Sequence, residues 1–479
     1  MIASILSNVK SISSWEEVAT SLSSFLPEAG NYFSILKFSY TTLPIHLKPC
    51  FLYLSAFRED LEIPVRKLLL LWIAEGFIVK KEEKNLEDVA EEYLIELINR
   101  SLLQVAKRRL DNGVKACTLH RMALDMCWKI AEEENFIFQQ LVNLLSLLSS
   151  RFTSLFQFSL LLLTTCEFVV IMSIMLLLLM LILILIDVVK PMMIHMFFSQ
   201  FLVSKYRSPL ASENLSIHHE SEKIRILESA SDLSRIETLT ELRYLETSSK
   251  LTWSIGRLQN LEFLLAERTT NILPRYLLNL PKLRHLHVGG PARFSKTCKI
   301  SGTNSLQTLS FICIFDRKDE EILKCSPNLR SLNCAVLAKK CPDLKFLSQL
   351  ESLKIVIYGS FKGEYTALNF PMNIKKLTLS NSGLPWKKMS LVGTLPKLEI
   401  LKLEDEAFEG EIWNTMDDEF QKLKFLKLDN LDLEQWNSSY NHFPVLEQLV
   451  LRYCDNLEMI PSELGEIQHF TRLRFMLVA

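Results

Sequence analysis

The feature that most constrains this chain is a template that recurs along its second half. Leu280-Pro-Lys-Leu-Arg-His-Leu-His-Val, Leu395-Pro-Lys-Leu-Glu-Ile-Leu-Lys-Leu, Phe420-Gln-Lys-Leu-Lys-Phe-Leu-Lys-Leu and Phe443-Pro-Val-Leu-Glu-Gln-Leu-Val-Leu share one pattern. Aligning its second apolar position gives Leu242, Leu261, Leu283, Leu306, Leu329, Leu350, Ile374, Leu398, Leu423, Leu446 and Phe470, spaced 19 to 25 residues apart. A unit this short cannot bury its apolar face alone, so successive units must stack over one continuous core. The spacing is that of leucine-rich repeats. Eleven irregular copies predict a curved solenoid over residues 216–479, with one short parallel strand per copy lining the concave face. The chain closes on Leu473-Arg-Phe-Met-Leu-Val without a polar capping unit, which points to a truncated C-terminus.

Strand alternation assigns the faces. In Leu401-Lys-Leu-Glu the leucines point inward, while Lys402 and Glu404 project from the concave side. The same middle position reads Glu246, Leu265, His287, Ser310, Asn333, Lys354, Thr378, Lys402, Lys427, Val450 and Arg474, so basic residues gather in the later repeats. The next column supplies Glu404, Asp429 and Arg452. Two readings follow. One is a solvated ladder of charges that compensate one another and contribute little. The other is a protein-binding face for an acidic partner, carried by His285, His287, Lys354, Lys402, Glu404, Lys427, Asp429 and Arg452.

The first part of the chain has a different pattern. Apolar residues at helical spacing from Tyr32 to Tyr40 stop before Leu43-Pro44, and a second helix is expected over Ile45 to Phe57. A third starts at Pro64, runs through Val65-Arg-Lys-Leu-Leu-Leu-Leu-Trp-Ile-Ala-Glu and is capped by Gly76. Asn85 is placed to cap a fourth, Leu86 to Asn99. Two β-prone runs, Leu102 to Ala106 and Val114 to Leu119, flank the hairpin signal Asp111-Asn-Gly. Helices followed by such a hairpin describe a winged helix over residues 31–138. Its third helix is too apolar to read bases, which need several polar side chains, so no specific nucleic-acid binding is expected.

Three runs in this region carry a family resemblance. They are Leu36-Lys-Phe-Ser-Tyr-Thr-Thr-Leu-Pro, Leu47-Lys-Pro-Cys-Phe-Leu-Tyr-Leu-Ser-Ala-Phe-Arg-Glu-Asp and Leu71-Trp-Ile-Ala-Glu-Gly-Phe-Ile. The region resembles the end of the nucleotide-binding (NB-ARC) domain in plant NLR disease-resistance proteins, of the late blight resistance homologue type. The resemblance implies an intracellular immune receptor, active in plant defence and the hypersensitive response, whose repeats recognise a pathogen effector or a host protein. In intact members ADP or ATP operates a switch. That switch needs a Gly-x-x-x-x-Gly-Lys-Ser/Thr loop, whose backbone N–H groups cradle phosphates, and this chain contains no Gly-Lys dipeptide. Residues 1–30 resemble only the remnant that follows the nucleotide-contacting core. His120 matches the histidine that touches the ADP phosphate in the family, but Arg121 stands where an aspartate is usual. No cofactor is therefore expected for this chain.

Between Gly113 and Gly256 there is no glycine, and within that gap Phe168 to Ile186 runs for 19 residues without charge, proline or glycine. The resemblance fades after about Phe138 and returns near Leu239, leaving residues 139–215 as a hydrophobic, helical insert. Two origins fit it. At ~1.5 Å per residue, residues 168–186 just span a bilayer core of ~30 Å. Alternatively the Leu, Phe, Ile, Met, Val and Ser bias, encoded largely by uracil-containing codons, is that of a translated intron, a gene-model artefact.

The fold class is α/β overall: a mainly helical winged-helix module, the insert, then the solenoid. A net charge of −1 argues against a general nucleic-acid binder. Ten cysteines without CxxC or metal spacing read as free thiols in a reducing compartment, with no metal site. No nucleophile elbow or zinc-binding His-Glu-x-x-His run is present, so a binding module rather than an enzyme is expected, cytoplasmic and membrane-associated only if residues 168–186 insert. A membrane-tethered repeat receptor, or a non-functional truncated homologue, are the alternatives. Residues 1–140 are predicted to show no measurable affinity for ADP or ATP; micromolar binding by titration calorimetry would reinstate a nucleotide site.

Overall fold

A computed structural model describes residues 40–58, 61–81, 84–110, 113–134, 224–230, 233, 236–267, 272–295, 302–337, 342–358, 369–467 and 470–476. The chain divides into two compact units, Met1–Tyr244 and Leu245–Ala479. Most of the expected helix from Tyr32 to Tyr40 and the whole insert, residues 168–186 included, lie outside the described residues. Among those described, no helix is long and apolar enough to cross a membrane.

In the first unit, helix α1 (Lys48–Leu52) runs into a 3-10 turn, Tyr53–Ala56, shorter than the sequence predicted. Strand β1 (Ile63–Pro64) follows, then α2 (Val65–Glu75), α3 (Leu86–Asn99), β2 (Gln104–Arg108), β3 (Val114–Thr118) and α4 (Arg121–Glu133). The strands form an antiparallel sheet in the order β1-β3-β2, with Ile63 opposite Cys117. Pro64 is extended and pairs with Ala116, so it sits just outside α2 rather than in its first turn.

Eight of the eleven α2 residues are buried and Trp72 is fully so, which commits this helix to the core. Its end is a Schellman closure: Gly76 takes φ 82°, its N–H donates to the Ile73 carbonyl, and the Phe77 N–H donates to the Trp72 carbonyl at 3.0 Å. The Arg225 guanidinium donates to the Glu75 carbonyl at 2.7 Å, placing a cation at the negative end of the helix dipole. Nearby Lys67 pairs with Glu228 of strand β4 (Ile226–Ala230) at 3.4 Å. Asn85 stands at the start of α3 as predicted, but its side chain does not cap the helix; its amide donates to Asp88 instead.

The second unit is a stack of repeats. Strands β5 (Phe263–Ala266), β6 (His285–Phe294), β7 (Thr308–Ile314), β8 (Ser331–Val336), β9 (Ser352–Ile357), β10 (Lys376–Ser380), β11 (Ile400–Glu404), β12 (Phe425–Asp429), β13 (Gln448–Arg452) and β14 (Arg472–Met476) pair in parallel with their chain neighbours. From β9 to β14 the register is unbroken, and Leu353, Leu377, Leu401, Leu426 and Leu449 form one buried row. After β10 to β13 the chain turns through a residue with positive φ: Asn381, Asp405, Asn430 and Tyr453. Asn and Asp tolerate that conformation; Tyr453 is the unusual occupant.

In the later repeats, aromatic rings stack from one repeat to the next. Trp386, Trp413 and Trp436 stack with centroids 4.9 and 4.8 Å apart, and Phe420 stacks on Phe443 at 4.9 Å. The ring spacing matches the ~4.8 Å between neighbouring strands, so one aromatic per repeat builds a continuous column. Two short parallel pairings, Leu384–Pro385 with Phe408–Glu409 and Ile412–Asn414 with Gln435–Asn437, hold it in register.

One backbone approach is unusually close. A Cβ at Gly289 would lie 2.0 Å from the Glu267 carbonyl oxygen, whereas one at Gly290 would meet nothing within 4 Å. Gly289→Ala is predicted to cost about 1–3 kcal/mol through overpacking against rigid backbone. Gly290→Ala should stay within about 0.5 kcal/mol. Urea midpoints of the two variants check this: equal midpoints would show that the backbone yields.

Candidate functional site

The concave face follows directly from the register. Lys354, Thr378, Lys402, Lys427, Val450 and Arg474 are successive cross-strand neighbours in one column. Ser380, Glu404, Asp429 and Arg452 form the next column. The charged residues expected to share a face in the later repeats are thus brought together.

Their side chains do not play equal parts. Lys427 lies between two carboxylates, 2.9 Å from Glu404 and 2.5 Å from Asp429, with little of it exposed. Burial alone would lower its pKa, but hydrogen bonds to Asp429 and Glu404 outweigh that and raise it. Burial would raise the Glu404 pKa, yet the Lys427 hydrogen bond and the charges of Lys427, Lys354 and Lys402 hold it below the usual carboxylate range. Lys354 reaches Glu404 only at 3.8 Å. In this triad the charges compensate one another.

Lys402 is different. Half-buried beside the Phe425 ring, 6.0 Å from its centroid, it has no carboxylate within 4 Å among the described residues. Burial pushes its ammonium below the ordinary lysine range, and Lys376, Lys427 and Lys354 add to the shift against the opposing pull of Glu404. Lys376, on the neighbouring strand, lies in the column before the two that strand alternation singled out. Arg452 also makes no ion pair within 4 Å among the described residues; its guanidinium lies 5.6 Å from the Tyr453 ring centroid and its Nε has no acceptor.

A separate column runs along the N-terminal edge of the strands. It comprises Glu262, Arg284, Gln307, Arg330, Glu351, Lys375, Glu399, Lys424 and Glu447, each joined to the next through a backbone N–H donated to a carbonyl. Here the signs balance locally: Arg284 pairs with Glu262 at 2.8 Å, Arg330 and Lys375 with Glu351 at 2.7 and 3.3 Å, and Lys424 with Glu399 at 3.3 Å.

The two histidines are each tied to a hydroxyl of the next strand. His285 is only 5% exposed, stacked on Phe263 with centroids 5.0 Å apart and hydrogen-bonded to the Thr308 hydroxyl at 3.1 Å. It braces the sheet and is not presented to a partner. His287 is half-buried and bonded to the Ser310 hydroxyl at 2.7 Å. Alternation alone could not reveal this, since His285 shares its strand face with His287 and its burial depends on what packs against it.

His120 is exposed at the start of α4, where its Nδ1 accepts the Met122 N–H at 3.3 Å. The ring serves as a helix cap, Arg121 follows it, and the chain offers no phosphate-cradling loop. The residues present do not fit a nucleotide site.

Comparison with known proteins accords with this geometry. Residues 56–127 match the family described as the disease resistance protein winged helix domain. A putative late blight resistance protein homolog of Solanum demissum is 34% identical over 498 residues, covering 96% of this chain and 36% of that protein. A late blight resistance protein of the same species is 33% identical over 497 residues, covering 96% and 37%. The alignments run across residues 139–215, and the chain spans little more than a third of these relatives' length. Among solved structures, an internalin from Listeria monocytogenes is 17% identical with a TM-score of 0.34, covering 56% of this chain and 87% of that one. PEPR1 in its complex with AtPEP1 is 15% identical with a TM-score of 0.32, covering 57% and 46%. With its winged-helix match, an alignment running through both units and a leucine-rich repeat solenoid, the chain is similar to NLR-type plant disease-resistance proteins of the late blight resistance group.

Proposed function

We propose that this chain supplies the partner-recognising part of an innate immune receptor in plant defence. The concave face of its repeats would engage a pathogen effector or a host protein. The observation that carries the reading is the 34% identity that extends over 96% of the chain, from the winged helix into the solenoid. The half-buried Lys402 among neighbouring cations supports a protein partner on that face, because an uncompensated charge column gains on binding what a compensated one does not.

In this reading the winged helix, its third helix buried in its own core, is a structural relay between the repeats and a nucleotide switch. The chain would not switch on nucleotide by itself, and it acts by binding rather than by catalysis. Its place is the cytoplasm, with membrane association only through residues 168–186.

The test is genetic. Disruption of the gene in its source plant should enlarge lesions after challenge with the late blight pathogen, and the intact coding sequence should restore resistance. A version with Lys354, Lys402 and Lys427 reversed to Glu should accumulate normally yet fail to restore it. Unchanged lesions after disruption would overturn the defence role; full rescue by the reversed version would remove the concave face from it.

A further inference from the structure

The edge column of the solenoid is electrically closed: every cation from Arg284 to Lys424 meets a carboxylate within 3.3 Å. Parallel stacking therefore has the means to neutralise a charge ladder in this protein. On the concave face it does not do so. Glu404 and Asp429 are spent on Lys427 and, weakly, on Lys354. Lys376, Lys402 and Arg452 are left without an ion pair within 4 Å among the described residues.

These three cations form a pattern with a length. Lys376 and Lys402 lie on adjacent strands β10 and β11, close enough for each to oppose the charge of the other. Arg452 lies two strands further on, on β13. Arg452 is also two residues further along the strand, in register with Glu404 rather than Lys402, so two strand spacings and that step put the two positions about 12 Å apart. A fully extended chain, rising ~3.3 Å per residue with alternate side chains on one face, covers that span in about four residues and returns to the same face. The half-buried Val450 faces the same side from β13, an apolar floor for the residues between.

We propose that Lys376 and Lys402 together receive one carboxylate, and Arg452 a second, from an extended acidic protein segment with acidic residues four positions apart. A carboxylate between two ammonium groups that repel each other relieves that repulsion, and a guanidinium offers a second carboxylate paired donors. The inference rests on the reading of the concave face as a protein-recognition surface, and its test does not depend on the role in disease resistance.

The experiment uses the full chain and a fluorescein-labelled peptide, Ala-Glu-Ala-Ala-Ala-Glu-Ala, followed by fluorescence anisotropy, with Ala-Gln-Ala-Ala-Ala-Gln-Ala as its neutral counterpart. The glutamate peptide should bind and the glutamine peptide should not. Lys376→Gln, Lys402→Gln and Arg452→Gln should each weaken binding about fivefold or more, while Lys424→Gln, in the closed edge column, should change it by less than about twofold. Lys402→Arg, which keeps the charge, should retain binding and shows whether any loss in Lys402→Gln reflects the missing charge or a folding defect. Equal binding of both peptides, or equal weakening by Lys424→Gln, would overturn the site. So would a single-stranded DNA oligomer that binds more tightly than the peptide and is lost in the same variants, since that would assign the cations to phosphates. Failure here would leave the plant resistance test standing; failure of that test alone would leave this site intact.

Discussion

The second unit depends on one constraint: a repeat of 19 to 25 residues has too little apolar surface to fold by itself, so its leucines are buried only when the next repeat covers them. The row from Leu353 to Leu449 is the physical result, each side chain at most 1% exposed. Once that row is fixed, parallel pairing puts equivalent residues side by side at ~4.8 Å, and every other column of the solenoid inherits the spacing. The tryptophan stack, the closed edge ladder and the open cationic patch are three outcomes of the same rule acting on different side chains. Aromatics gain by stacking, alternating charges gain by pairing, and like charges are left in need of an outside partner.

The winged helix follows a different logic. Its stability comes from a short helix buried on nearly all sides, with Trp72 at its centre and a Gly76 closure that lets the chain leave abruptly. That burial also limits what the module can do, because α2 has few polar side chains left to present. His120 has a local role as a helix cap, with Arg121 beside it.

Much of the architecture could be read in advance because it rests on periodicity. The Gly76 closure, the α2 and α3 ranges and the repeat positions depend on local signals, and the structure places them where those signals lie. Other expectations failed where a tertiary partner decided the matter. Pro64 joined a strand because Ala116 was there to pair with it, and Asn85 turned its amide to Asp88. His285 left the binding face because Phe263 and Thr308 enclose it.

The sequence by itself determined that this protein is a winged helix followed by a stacked solenoid, since the hydrophobic period permits no other burial of its leucines. It also determined that positive charge collects in the later repeats, because alternation fixes which residues face out. Only the tertiary structure decided which of those charges are spent. Register sets Lys427 between Glu404 and Asp429, and leaves Lys402 half-buried among other lysines without a carboxylate in reach. The physical reason is that ion pairing acts over a few ångströms across strands, a distance that no spacing along the chain encodes.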